Sequence, residues 1–149
     1  MTKPNSNHRE VTDVYFAWKE EYSVNIEAID NQHKKLFEIG RKVSHLIFSN
    51  DTLVNNEDIV NIFNELKKYT EFHFRFEEKL LQENGYAHYV THKYEHDLLI
   101  EKIKKIESNN SGSLQKEILM ELINFVFEWI SNHIVKGDMK YKDFLGKNI

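Results

Sequence analysis

The sequence contains no cysteine. That absence excludes disulfides, thiolate nucleophiles, iron–sulfur clusters and cysteine-based zinc sites. It holds one proline, Pro4, so nothing further along interrupts a long helix by a missing N–H and a clashing ring. Glycine is also scarce, and four of the five (Gly85, Gly112, Gly137 and Gly146) fall where helices would end or loops would lie. No apolar run approaches the ~20 residues of a membrane span. The opening stretch Met1–His8 has no apolar signal region, so a cytoplasmic protein that avoids the membrane is expected. A basic surface is lacking as well. The formal net charge is −4, which argues against nucleic acid as a partner, and lysine pairs such as Lys34-Lys35 and Lys67-Lys68 sit among acids as solvated helix faces would.

What is present is ample apolar material in a chain of single-domain size. At 149 residues such a chain buries roughly 68–70% of its unfolded surface, enough for a core without staples. Ten Phe, seven Tyr and two Trp predict a core built from large rings. Residues 1–12 are polar and read as a flexible extension, and residues 13–149 as one domain. Tyr15, Phe16, Trp18, Tyr22, Val24 and Ile26 make the start of that domain too apolar for a free tail; an ordered arm packed across the rest is expected, with Trp18 a packing residue.

Four helical segments follow, each with an apolar stripe at i, i+3, i+4, i+7 spacing. The first spans about 31–48, with Asp30 as N-cap, and carries His33, Leu36, Phe37, Gly40, Val43 and Ile47. The second spans about 57–84, with Ile59, Ile62, Leu66, Thr70, His73, Glu77 and Leu81, and stops at Asn84-Gly85. The third spans about 89–107, with Tyr89, His92, His96, Leu99, Ile103 and Ile106. The fourth spans about 113–135, capped by Ser113, with Ile118, Leu122, Val126, Trp129 and His133. Helices of these lengths joined by short loops predict an all-α, up-down-up-down four-helix bundle.

The stripes contain residues that do not belong in an apolar core. His33, His73, His92, His96, His133 and Glu77 all lie on them, whereas His8, His45 and His88 read as exposed. One buried histidine is ordinarily a satisfied core residue. The spacing argues for more here: His73 and Glu77 are four apart, as are His92 and His96, so each pair projects from one helix face. An ionised carboxylate in a core costs several kcal/mol unless it is paired or metal-bound. Asp138 is less obvious. Five residues past His133 it would sit about 140° away on a regular α-helix, unless Gly137 broke the helix and let the chain swing back. These donors exceed the four ligands of one tetrahedral zinc and suit two ions sharing carboxylates. Imidazole is compatible with iron, copper, nickel and zinc, whereas calcium and magnesium prefer oxygen.

The stretches Ile29-Asp30-Asn31-Gln32-His33-Lys34-Lys35-Leu36, His73-Phe74-Arg75-Phe76-Glu77-Glu78, His92-Lys93-Tyr94-Glu95-His96 and Trp129 to Tyr141 together resemble the hemerythrins, in particular their single-domain bacterial members. The likeness runs from about Trp18 to Tyr141. It implies two iron ions with a bridging oxo or hydroxo group. His92, His96 and His133 would hold one iron, His33 and His73 the other, and Glu77 and Asp138 would bridge them. It further implies reversible binding of dioxygen beside Phe74, Trp129, Ile130 and Ile134, for storage, delivery or sensing, and no catalysis. The competing reading is a di-iron oxidase, peroxidase or iron-handling protein. Ferritin-like sites draw on Glu-x-x-His pairs, and the histidine-rich spacing here favours binding over oxidation. A sensing role would need a separate protein partner, since no output domain follows Tyr141 in this sequence.

Overall fold

A computed structural model describes residues 17–48, 56–109 and 115–148. Helix α1 spans Glu27–Phe48, α2 Asn56–Glu83, α3 Tyr89–Asn109 and α4 Gln115–Glu128. The last runs without interruption into a π-helix, Trp129–Asp138, and then into α5, Met139–Asn148. α1 packs against α2 and α4, α2 against α3, and α3 against α4, which closes a four-helix ring. Sequence neighbours are spatial neighbours, as in the expected up-down-up-down bundle. No described helix is long and apolar enough to cross a membrane.

The helical stripes form the interior. Leu36, Phe37, Val43, Ile59, Ile62, Leu66, Ile103, Leu122, Val126 and Trp129 belong to one buried cluster. Val24, Ile29, Leu81, Tyr86, Tyr141 and Leu145 form a second. The polar stripe residues lie between the two, since on α1 His33 separates Ile29 from Leu36 and on α2 His73 and Glu77 separate Leu66 from Leu81. A polar layer is thus enclosed by apolar material at both ends.

Several local features differ from the expectations. α1 begins a turn earlier than residue 31, so Asp30 is no N-cap. It reaches back instead and fastens the arm: its Oδ1 accepts from the Val24 N–H at 2.9 Å and its Oδ2 from the Ser23 hydroxyl at 2.6 Å. The arm's Trp18 and Tyr22 pack on Phe37, at ring separations of 5.8 and 5.5 Å. At the end of α2, Gly85 takes φ +69°, with bonds from its N–H to the Gln82 carbonyl and from Tyr86 N–H to the Leu81 carbonyl. That is a Schellman ending, and it requires the left-handed backbone that glycine adopts freely. The fourth helix does not stop near residue 135: Gly137 and Gly146 lie inside helix. The extension 1–12, the start of the arm (residues 13–16) and Ser113 lie outside the described residues.

Candidate metal centre

All seven donors named from the sequence are buried: His33, His73, Glu77, His92, His96, His133 and Asp138. The structure brings them together in two sets that share the carboxylates. One comprises Glu77, His92, His96, His133 and Asp138, the other His33, His73, Glu77 and Asp138, with the ligand atoms of each set within 4.8 Å of one another. His45 and His88 are exposed.

Asp138 joins the cluster by a different route from the expected one. Gly137 does not break the helix. The chain winds as a π-helix from Trp129 to Asp138. Bonding i→i+5 widens each turn, so positions five apart, which diverge on an α-helix, come nearly into line. Asp138 Oδ1 therefore lies 3.1 Å from His133 Nε2, while Oδ2 lies 3.1 Å from His33 Nε2 across the bundle.

The outward ring nitrogens show which tautomers the site holds. His73 Nδ1 lies 2.7 Å from Gln32 Oε1, and His96 Nδ1 lies 2.8 Å from Glu78 Oε2. His133 Nδ1 is 3.4 Å from Glu95 Oε2. A carboxylate or amide oxygen can only accept, so Nδ1 of His73 and of His96 carries a proton and turns Nε2 inward. His96 Nε2 and His133 Nε2 face each other at 2.9 Å, and His33 Nε2 and His73 Nε2 at 3.2 Å. Each pair is satisfied by one shared proton or by a cation held between the two nitrogens. Both oxygens of Asp138 and Oε2 of Glu77 are buried without a hydrogen-bond partner. Inward-facing imidazole nitrogens and three carboxylate oxygens left without a hydrogen-bond partner are what a bound metal pair requires.

The same geometry sets the charges when protons alone fill the site. Burial disfavours ionisation of Glu77, but the imidazoles of His73, His92 and His96 outweigh it and hold the carboxyl well below its usual range. Asp138 is also lowered: burial and the Glu77 charge oppose, and His133 and His33 prevail. His92 is opposed by burial yet raised to about 10 by Asp138 and Glu77. His73 is lowered, mainly by burial.

Apolar side chains wall the cluster. Phe74 stacks face to face on His96, ring centroids 3.8 Å apart, and forms a T-shaped pair with Trp129 at 5.9 Å. Trp129 stands 6.3 Å from His73, and Ile134 is fully buried. The side chain of Ile130, the fourth residue expected here, lies outside the described residues. The outward partners Gln32, Glu78 and Glu95 escaped the sequence reading, although each directly adjoins a donor in the chain (His33, Glu77 and His96). Tyr141 also escaped it. Its buried hydroxyl has no hydrogen-bond partner, and burial together with the Asp138 and Glu77 charges keeps it protonated.

Fold and site together define a helical-bundle protein with an internal histidine–carboxylate metal centre. Residues 24–145 match the family model described as the hemerythrin HHE cation binding domain. The bacteriohemerythrin of Clostridium acetobutylicum is 41% identical over 129 residues, covering 86% of this chain and 99% of that protein. Those of Methylococcus capsulatus and Pseudomonas aeruginosa PAO1 are 31% and 30% identical, covering 81% and 87% of this chain and 88% and 80% of theirs. The chain belongs to the hemerythrin family.

Proposed function

We propose that this protein binds dioxygen reversibly at a pair of non-haem iron ions, for oxygen storage, delivery or sensing. The observation that carries this reading is the pair of unsatisfied donor sets sharing Glu77 and Asp138. His92, His96 and His133 would hold one ion, His33 and His73 the other, and Glu77 and Asp138 would be shared between them. Bound there, the iron pair supplies the electrons that reversible capture of dioxygen requires.

The chain contributes an unequal frame. One set has five protein donors and the other four, so an ion held by His33 and His73, next to Trp129, would be the one with room for a further ligand. Phe74, Trp129 and Ile134 keep water and protons from that position, which favours release over reduction. Glu78 and Glu95 stand behind imidazoles, where they orient rings and do not offer acid to the pocket.

The test is anaerobic loading with ferrous ion followed by oxygen titration. Two irons per chain and a visible-absorption change that reverses over repeated cycles of oxygen removal support the proposal. Irreversible oxidation with release of peroxide would assign the oxidase or peroxidase reading instead. A single metal per chain, or mostly zinc in the purified protein, would defeat the di-iron assignment.

A further inference from the structure

The contacts to the outward ring nitrogens follow a rule around the bundle. Gln32 on α1 serves His73 on α2, Glu78 on α2 serves His96 on α3, and Glu95 on α3 serves His133 on the π-helix. Each partner comes from the preceding helix. The series stops at His33, whose Nδ1 is buried without a hydrogen-bond partner. The charges are unequal too. Both contacts on the His92/His96/His133 side are carboxylates, whereas the His33/His73 side has one neutral amide and one vacant nitrogen.

A carboxylate that accepts an Nδ1 proton raises the basicity of the opposite Nε2, an amide does so weakly, and an unpartnered nitrogen not at all. Building on the dimetal reading above, we propose that this asymmetry splits the centre into a strong and a weak metal position. The His92/His96/His133 position fills first and empties last, and Glu78 is its principal positioning residue. Glu78 outranks Glu95 because its carboxylate is closer, at 2.8 Å against 3.4 Å. It is also less exposed, 14% against 42%, and so less screened by solvent.

Titration of the metal-free full chain with Zn²⁺ against a chromophoric chelator tests this. Two steps are expected, with His73→Ala removing the weaker and leaving the stronger. Glu78→Gln keeps an acceptor but removes the charge, and should weaken the stronger step roughly 10–100-fold while sparing the weaker. Gln32→Glu should tighten the weaker step, a gain that misfolding cannot mimic. Two equal steps, a Glu78→Gln effect confined to the weaker step, or no response to Gln32→Glu would overturn the asymmetry while leaving a two-metal centre intact. Uptake of fewer than two Zn²⁺ would remove the dimetal reading and this inference with it.

Discussion

Asp138 stands five residues after His133, and its Oδ1 lies 3.1 Å from that histidine's Nε2 while Oδ2 reaches His33 Nε2 at the same distance. One carboxylate therefore ties the end of the π-helix to the middle of α1, across both donor sets. Asp138→Asn keeps the shape and removes the charge. The expected outcome is loss of the paired site with helical content retained, read by metal analysis beside far-UV circular dichroism. Two metals retained at wild-type affinity would rule out a bridging role.

Glu77 has the same reach from α2. Its carboxylate contacts His92, and its second oxygen lies 3.2 Å from His73 Nε2 and 3.9 Å from His33 Nε2. Glu77→Ala should drop metal content from two per chain to at most one. The helices should persist, because the apolar clusters on either side of the polar layer do not depend on this side chain.

The parts of this site legible in the sequence are those that follow helical periodicity. The stripes of α1 to α4 announced their own burial, and the i, i+4 pairs His73/Glu77 and His92/His96 announced a shared face. Asp138 was legible as a donor but not as to route: a π-helix has no residue signature comparable to an α-helical stripe, and Gly137 suggested a break where the winding merely widened. Gln32, Glu78 and Glu95 were illegible as partners because each serves a ring on the next helix, a relation set by packing between helices. Asp30 was misread for a similar reason. It lies within the first turn, but its partners, Ser23 and Val24, sit in the arm before the helix.

Metal binding should be strongly linked to folding. The metal-free interior encloses facing imidazole nitrogens and unpartnered carboxylate oxygens. A ligand at a hundred times its dissociation constant adds about 2.7 kcal/mol. For a chain of this length that corresponds to a Tm rise of roughly 5–10 °C per ion bound. Differential scanning calorimetry with and without ferrous ion under anaerobic conditions would measure it, and an unchanged Tm would contradict a filled centre.

Protons and metal compete for the same lone pairs, so the two forms should respond differently to pH. His92 is raised from 6.5 to about 10, so its contribution to metal-free stability is complete below pH 6.5 and is lost as pH climbs toward 10. His96 is also raised and acts in the same direction. Glu77 and Asp138 are lowered from 4.5 and 3.8, so their contributions hold above those values and fade in stronger acid. His73 is lowered, and its contribution fades as pH falls below 6.5. Metal-free protein should therefore unfold more easily at pH 9.5 than at pH 6.5, whereas loaded protein should not. At pH 7 metal uptake should release at least one proton per chain. Calorimetric titrations in buffers of different ionisation enthalpy would detect it, and metal uptake without proton release would contradict the His92 assignment.

Phe74 and Trp129 are both nearly fully buried beside the donors, yet truncating them should have unequal effects. Phe74 stacks on His96 and meets Trp129 and His133 in T-shaped pairs, so Phe74→Ala leaves a cavity against the site and should cost about 3–5 kcal/mol. It also admits water, so iron-loaded protein should oxidise irreversibly at least several-fold faster. Trp129 carries an indole N–H that is buried with no hydrogen-bond partner. Trp129→Phe removes that unsatisfied donor along with part of the ring, and the opposing effects should leave stability within about 1.5 kcal/mol of the parent. Urea denaturation gives both numbers, and the decay of the oxygen-dependent absorption gives the oxidation rate. Equal losses in the two variants would mean that Phe74 acts as core packing alone.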